Sequence, residues 1–262
     1  MDPTRQQTQR QYILAPASES DMPRLMSIMF AAFDQEPYHE TVENVRVPSF
    51  QSTAAWASGS GPAASWPPAD QYENEVQAAT GNRYLEAWRK DPNQEIIMCI
   101  DPSSTQILGW AKWVVHARWR EEKEWNAPLP PYPQHAAPLS EKEQRAIVAF
   151  TQKAERKRRQ LRGGRPYVFL GNLTVDPEYH RRGVGRTLLE WGFRKTEALK
   201  ARLREEGQTE LADDVVVYLE ATDMGMLLYT KMGFERVDQT IIEPEEWDGG
   251  RQVVYPVMVW RP

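Results

Sequence analysis

The stretch Leu173–Leu189 reads LTVDPEYHRRGVGRTLL and joins an apolar run, a proline turn and a glycine-bearing segment. The apolar residues over Tyr167–Val175 predict a strand, and apolar residues at helical spacing predict a helix over Gly183–Leu203. Gly183 and Gly185 then fall in the first turn of that helix. Unpaired amides and the positive end of the helix dipole form an anion site there, and glycines let a phosphate approach the backbone closely.

A Gly-x-Gly triplet has little meaning by itself. In a chain with 15 glycines among 262 residues, about one such triplet arises by chance, and Gly59-Ser60-Gly61 is another example. Gly183-Val184-Gly185 is informative because it lies between a predicted strand and a predicted helix. No Gly-Lys-Ser or Gly-Lys-Thr is present, which excludes a P-loop, and Leu188 replaces the third glycine of the dinucleotide fingerprint. The pattern favours a pyrophosphate-bearing ligand without nicotinamide.

A second pattern lies downstream of the first. Residues Val215–Ala221 predict a dense apolar strand with the sequence Leu219-Glu220-Ala221-Thr222 at its end, and a short helix with Leu228-Tyr229 stops at Gly233-Phe234. The two patterns together resemble the GNAT superfamily of N-acetyltransferases, whose acetyl-CoA loop reads Gln/Arg-x-x-Gly-x-Gly/Ala and whose later helix ends in Leu-Tyr-x-x-x-Gly-Phe. One position departs from the family, because His180 stands where Gln or Arg is usual.

The resemblance implies an α+β fold with a mixed, mostly antiparallel central sheet, two adjacent parallel strands that splay apart, and helices on both faces. It is sharp over residues 167–237 and weaker over 12–33 and the final hairpin. It implies that residues 11–262 form a single N-acetyltransferase domain behind a polar tail at 1–10. A loop at 49–68 and an insertion at 117–165 have no counterpart in the family pattern, and we expect them to select the acceptor.

The resemblance also implies acetyl-CoA as the co-substrate. In the family, the first splayed strand pairs its free backbone groups with the pantetheine arm, which lies like an added strand, and the pyrophosphate lies on the loop amides. Three arginines add positive charge around these amides. The cofactor-binding residues implied in this sequence are Leu173, Thr174, Val175, Arg181, Arg182, Gly183, Val184, Gly185, Arg186 and Thr222.

The implied reaction is acetyl transfer to a small-molecule or peptide amine by direct attack in a ternary complex. Tyr229 would direct its hydroxyl at the thioester sulfur and protonate the departing thiolate. An alkylamine with a pKa of about 10.4 requires roughly 4.6 kcal/mol to expose its lone pair at neutral pH, so we expect a base. Glu220, at the end of the second splayed strand, is the first candidate base and Glu36 the second. A non-catalytic acyl-CoA-binding regulatory protein is the alternative function.

Further elements are predicted around this core. Apolar residues at helical spacing follow Ser20, the predicted N-cap, as far as Phe33. A helix starts with the capping-box pattern of Ser140 and Glu143 and ends at Gly163-Gly164. Fifteen of the twenty residues at 49–68 are Ser, Ala, Gly or Pro, which is typical of a flexible loop. The remaining predictions are a helix at 82–90, hairpins at 95–101 with 106–116 and at 237–242 with 253–260, and Pro256 at an edge or a bulge.

Composition limits the class of protein. With 40% hydrophobic residues, 26% charged residues and a net charge of -5, the chain resembles an ordinary globular protein, and we expect no nucleic-acid partner. Neither a signal peptide nor a spanning apolar run is apparent, so we expect an intracellular protein, cytoplasmic or nuclear, without membrane contact. Cys99, His39, His116 and His135 show no metal-ligand spacing, so we expect no metal and structural roles for these residues.

Basic residues are concentrated between Lys153 and Arg165. Seven of them stand against one acid, Glu155, on a segment predicted to be helical. Such a run is either a solvated helix face or a surface for a polyanion such as nucleic acid, and we favour the solvated face because the whole chain is mildly acidic. The seven residues are Lys153, Arg156, Lys157, Arg158, Arg159, Arg162 and Arg165.

Overall fold

The strand-turn-helix unit at the centre of the sequence lies within a larger sheet with helices packed around it. The computed structural model describes residues 11–33, 69–128, 141–247 and 252–262. Its strands are β1 (Ile13–Pro16), β2 (Gln94–Ile100), β3 (Ile107–His116), β4 (Tyr167–Val175), β5 (Val217–Glu220), β6 (Glu235–Ile242) and β7 (Val253–Trp260). Its α-helices are α1 (Met22–Phe33), α2 (Glu75–Lys90), α3 (Glu122–Trp125), α4 (Glu141–Arg162), α5 (Val184–Glu205), α6 (Thr209–Asp213), α7 (Asp223–Lys231) and α8 (Pro244–Trp247).

The seven strands form one sheet in the order β1-β2-β3-β4-β5-β7-β6. Neighbouring strands are antiparallel except β4 and β5, which are parallel and are connected through α5 and α6. Their pairing extends only from Val168 with Val217 to Leu170 with Leu219. Beyond Leu170, β4 continues without a described strand on its β5 side. This topology confirms the predicted mixed, mostly antiparallel sheet with two splayed parallel strands.

A β-bulge at Gly171 marks the point where β4 leaves β5. Lys112 of β3 pairs with Asn172 and Trp113 pairs with Leu170, so Gly171 is the extra residue on β4. A Cβ at Gly171 would lie 2.9 Å from Cε of Lys112, which a larger residue would have to displace. Because a bulge increases the local bend and twist of a strand, this one accounts for the divergence of β4 from its parallel neighbour.

Alternation along the strands divides the core between the two faces of the sheet. On one face the fully buried Trp113 packs with α5, and a Cβ at Gly192 of α5 would lie 2.6 Å from Cζ2 of its indole. On the other face Trp110 packs with α1 and α2, and its Nε1 donates to the carbonyl of Leu25 at 2.8 Å. Leu161 of α4 packs against the β4–β5–β7 part of that second face. The prediction of helices on both faces is confirmed.

Two predicted helix starts are corrected. Ser18, not Ser20, forms the N-terminal cap before α1: its amide and hydroxyl donate to Asp21, and a short 3₁₀ turn precedes the α-helix. α2 begins seven residues before the predicted start at 82, because the side chain of Asn74 accepts from the amides of Val76 and Gln77. The helix ending at Gly163 and both hairpins are confirmed. Ser140 and the loop at 49–68 lie outside the described residues.

Pro256, predicted at an edge or a bulge, lies on an inner strand, but beyond the last pair of that strand with β5 and next to a bulge of β6. β7 lies between β5 and β6, so it is an inner strand. The carbonyl of Pro256 accepts from the amide of Ala221 at 2.8 Å, one residue beyond the end of β5. Continued antiparallel pairing at this position would also require an N–H from residue 256, which proline lacks. β5 is therefore shorter than the predicted strand at 215–221, and proline is tolerated where it ends.

Candidate active site

The free edge of β4 is the first component of the candidate site. Residues 172–175 remain paired with β3 but have no described strand on the opposite side. Apart from the carbonyl of Val175, which accepts from His180, backbone N–H and C=O groups on that side are available to a ligand that lies alongside them like an added strand. The structure therefore brings Leu173, Thr174 and Val175 together on one open edge.

The N-terminus of α5 is the second component. Gly183 is its N-cap residue with a φ of 93°, and Arg181 in the preceding turn has a φ of 59°. The amide of Thr187 donates to the carbonyl of Gly183 at 3.0 Å as the first bond of the helix, so the amides of residues 184–186 precede the intrahelical ladder. A Cβ at Gly183 would meet nothing within 4 Å. Open space beside unpaired helix amides is the geometry of an anion site.

Side chains from distant parts of the chain hold the turn between β4 and α5. Asp176 accepts from the amide of Glu178 at 3.1 Å and forms an ion pair with Arg24 of α1 at 2.6 Å. Tyr179 donates from its hydroxyl to Gln106 at 2.8 Å. Sequence reasoning missed Arg24 because 152 residues separate it from its partner, although the Asp-Pro dipeptide did indicate a turn. The turn is therefore fixed before any ligand binds.

His180 occupies the family position of Gln or Arg and has a contact of its own. Its Nε2 donates to the carbonyl of Val175 at 3.0 Å, which joins the turn back to the end of β4. The hydroxyl of Tyr12 donates to the carbonyl of Arg182 at 2.8 Å and holds the next part of the turn. The imidazole thus helps to shape the loop.

α7 lies beside the free edge of β4 and the N-terminus of α5, and the space bounded by these three elements is named the cleft. A Cβ at Gly185 would lie 2.9 Å from Cδ2 of Leu228 on α7 and 3.7 Å from the side chains of Leu173 and Val175. Gly185 therefore lies where α5, α7 and the free edge of β4 meet. A side chain at this position would enter the cleft between these elements.

Tyr229, the candidate proton donor, lies on α7 and is 8% exposed. Its ring is edge-on to that of Phe234, with centroids 5.6 Å apart, and a Cβ at Gly225 would lie 2.6 Å from its Cε2. It packs in the same cluster as Leu173. Thr222 caps α7 by accepting from the amide of Gly225 at 3.4 Å, so this residue has a structural function in the helix.

Glu220, the candidate base, lies at the end of β5 with only 6% of its side chain exposed. Nη1 of Arg158 is 3.5 Å from its Oε2, whereas its Oε1 is buried without a hydrogen-bond partner among the described residues. Burial raises the pKa of Glu220, and the charge of Arg158 opposes that rise. The hydroxyl of Tyr218 is close to the carboxylate but makes no hydrogen bond of standard geometry with it, and burial raises the pKa of Tyr218 as well. A buried carboxylate of this kind is suited to accept a proton.

The basic run of α4 is mostly paired, so the prediction of a solvated face is wrong. Six of its seven residues form ion pairs with described carboxylates, and Arg162 is 8% exposed at its side chain. The partners lie on α4 itself, β5, β6, α8 and the residue after α6, which the sequence alone did not bring together. The pairs are Lys153–Glu246, Lys157–Asp238, Arg158–Glu155, Arg158–Glu220, Arg159–Glu155, Arg162–Asp214 and Arg165–Asp214.

Of the remaining candidate residues, the described His116 pairs with Tyr167 at the opposite end of β3 and β4 from this cleft. Glu36, His39 and His135 lie outside the described residues. His116 stacks with Tyr167 at a centroid distance of 4.4 Å, and its pKa falls to about 4, mainly through burial. In the parts of the chain that the structure describes, no three His, Cys, Asp or Glu side chains come together to hold a metal. None of the helices there is both long and apolar enough to cross a membrane.

A family model and a curated relative each match part of this chain. Residues 141–236 match the family model described as Acetyltransferase (GNAT) domain. The probable acyltransferase SID5 of Ajellomyces capsulatus is 32% identical over 83 residues, which make up 31% of this chain and 51% of that protein. The chain thus spans about half the length of the curated relative that it matches.

Solved structures show a similar fold. The mosquito arylalkylamine N-acetyltransferase like 5b is 11% identical, with a TM-score of 0.51 over 96% of this chain and 100% of that chain. A structure described as histone acetyltransferase HPA2 and related acetyltransferase, from Corynebacterium glutamicum ATCC 13032, is 16% identical, with a TM-score of 0.48 over 96% of both chains. The likeness to the mosquito protein concerns the fold alone.

Proposed function

We propose, since this chain belongs to the GNAT acetyltransferase family, that it transfers an acetyl group from acetyl-CoA to the nitrogen of a peptide or small-molecule amine. The family generally uses acetyl-CoA and acts on amine acceptors. The observation that carries the proposal is the open edge of β4 beside the N-terminus of α5, whose N-cap residue Gly183 offers no capping side chain. An extended, amide-containing arm suits the first feature and a pyrophosphate suits the second.

The residues around the cleft fit acetyl-CoA. The edge formed by Leu173, Thr174 and Val175 would pair with the pantetheine amides, and the amides of residues 184–186 would receive the pyrophosphate. Arg181, Arg182 and Arg186 supply positive charge beside the same turn. The open space at Gly183 and the absence of a side chain at Gly185 support this placement. Thr222 would contribute by holding α7 in position.

The proposed chemistry is direct attack in a ternary complex. The amine nitrogen bonds to the thioester carbonyl carbon, the carbon–sulfur bond breaks, and the thiolate leaves with the electron pair. Tyr229 donates its hydroxyl proton to the thiolate, and Glu220 accepts the proton released by the amine. The unbonded Oε1 of Glu220 supports this role. Glu36 remains the second proposed base, and it lies outside the described residues.

The experiment that tests the function is thiol release from acetyl-CoA with a panel of amines and peptide N-termini. We expect amine-dependent release of coenzyme A, with the acetylated amine identified by mass spectrometry. The Gly185→Leu variant serves as the inactive control because its side chain would enter the cleft. Release that is independent of the amine, or equal in the variant, would contradict the proposal.

A non-catalytic acyl-CoA-binding protein is the second candidate, favoured by the ion pair between Arg158 and Glu220. A carboxylate held by a guanidinium is a weaker base than a free one at the same burial. The two candidates differ in one measurement. Acetyl-CoA binding without turnover on any amine of the panel would support the second candidate and exclude the first.

A further inference from the structure

A second concave site lies at the other end of β4 from the cleft. It is an open cavity of about 540 Å³ between the C-terminal half of α4 and the segment that follows β3. Eight residue steps of strand, at about 3.3 Å each, separate Tyr167 at this end from Val175 at the cleft, on the order of 25 Å. The residues that line it are Trp119, Trp125, Asn126, Arg156, Arg159, Gln160, Arg162, Gly163, Gly164 and Arg165.

Backbone and side-chain bonds hold the two walls of this cavity together. The amide of Arg120 donates to the carbonyl of Gly164 at 2.9 Å, and Nη1 of Arg159 donates to the carbonyl of Ala127 at 2.7 Å. A Cβ at Gly164 would collide with the carbonyl oxygen of Arg120 and lie 3.0 Å from Cδ1 of Trp125. Only glycine therefore allows the walls to approach this closely, and the cavity is built into the fold.

On the side of α4, the cavity keeps a positive charge after the described ion pairs are counted. Arg158 and Arg159 are balanced by Glu155 and Glu220. Arg162 and Arg165 share one carboxylate, that of Asp214, which leaves one positive charge over. The exposed Arg156 forms no ion pair with a described residue and adds a second. The surplus of two positive charges matches a dianion.

Arg162, one of the arginines that contribute to this surplus of positive charge, is buried. Its side chain is 8% exposed, and its Nε is buried without a hydrogen-bond partner among the described residues. Burial, together with repulsion from Arg165, holds its pKa below the usual value even though Asp214 opposes the shift. The charge of Arg162, which shares one carboxylate with Arg165, adds to the positive potential of the cavity and so favours an anion there.

The two tryptophans of the cavity indicate an aromatic group in the ligand, beside the anionic group that the arginines favour. Trp119 is 51% exposed although it is one of the largest apolar side chains, and Trp125, on the same wall, lies against Gly164 of the facing wall. Flat indole faces bind flat rings by stacking. We propose that this cavity is a second binding site, separate from the acetyl-transfer cleft, for an aromatic phosphate monoester.

Phenyl phosphate tests this site, because it carries a ring and a dianion but none of the pantetheine of coenzyme A. We expect titration calorimetry on the full chain to detect its binding, with inorganic phosphate and phenol each at least tenfold weaker. AMP is the second probe. AMP binding tighter than phenyl phosphate would identify a nucleotide as the ligand type, and equal binding would show that ring and phosphate suffice; both support the site.

Variants of two residues that line the cavity test whether phenyl phosphate binds there. Trp119→Ala and Arg156→Gln, both at exposed positions, should each weaken phenyl phosphate at least tenfold while the melting temperature stays near that of the parent. Arg194→Gln removes the same charge from an exposed position on α5 and should leave the affinity unchanged. Gly185→Leu should also leave it unchanged. No binding at millimolar phenyl phosphate, or binding that Trp119→Ala does not weaken, would overturn the site, and the arginines would then serve only to stabilise the end of α4.

Discussion

The hydroxyl of Tyr229 is the group whose removal isolates the proposed proton donation. Tyr229→Phe keeps the ring in its contact with Phe234 and removes one oxygen. General-acid contributions are typically about 100- to 10,000-fold, so we expect kcat to fall by that factor with little change in acetyl-CoA affinity or stability. Steady-state kinetics at saturating acetyl-CoA and thermal unfolding measure these effects. A kcat within about threefold of the parent would make Tyr229 a structural residue.

The ring of His116 is predicted to make stability depend on pH. Its folded pKa of about 4 lies below the ordinary 6.5, chiefly because of burial. Below the ordinary value the unfolded chain binds a proton that the folded chain does not, so the free energy of unfolding falls as pH decreases from 6.5 toward 4. We expect a loss of about 2 kcal/mol from this group between about pH 7.5 and about pH 5.

His116→Phe is the matched control for that effect, since it keeps a ring against Tyr167 and cannot titrate. Urea denaturation of both proteins at the two pH values measures the difference. We expect the variant to lose less stability than the parent on acidification. Parallel losses in the two proteins would show that His116 does not carry the pH dependence.

At the scale of elements, a side chain at the start of α5 would occupy space that the proposed ligand needs. Gly185→Leu would displace Leu228 and crowd the free edge of β4. Acetyl-CoA should raise the melting temperature of the parent by mass action, and this rise should disappear in the variant. A folded variant that keeps the full rise would contradict the placement of acetyl-CoA in this cleft.

The contact between α5 and the sheet leaves no space for a methyl group. A Cβ at Gly192 would collide with the buried indole of Trp113, so Gly192→Ala must move the helix or the ring. Overpacking typically costs about 1–3 kcal/mol, and alanine returns about 1 kcal/mol of helix propensity, so we expect a net loss of stability of up to about 2 kcal/mol. Chemical denaturation measures it. Combination with Trp113→Phe should reduce the cost, and additive effects of the two changes would argue against the contact.

For the whole molecule, local patterns were sufficient to predict the strand-turn-helix unit and both hairpins. They were not sufficient for the bulge at Gly171, because a register depends on the partner strand. The start of α2 was missed because its buried face consists largely of small and polar residues such as Gln77 and Ala78, which give no apolar stripe. The pair of Glu220 with Arg158 joins β5 to α4, and no spacing rule connects positions so distant in sequence.

The divergence of β4 from β5 gives the two sides of one strand very different exposure to solvent. Along residues 172–175, backbone groups on one side remain bonded to β3, while the other side has no described strand partner and only the carbonyl of Val175 accepts a described bond there, from His180. Hydrogen–deuterium exchange should therefore divide this short segment into slow and fast amides at neighbouring positions, although both belong to the same central strand. Acetyl-CoA should slow the exchange of the fast amides alone. Exchange rates of single amides would then show where the ligand pairs with the free edge of β4.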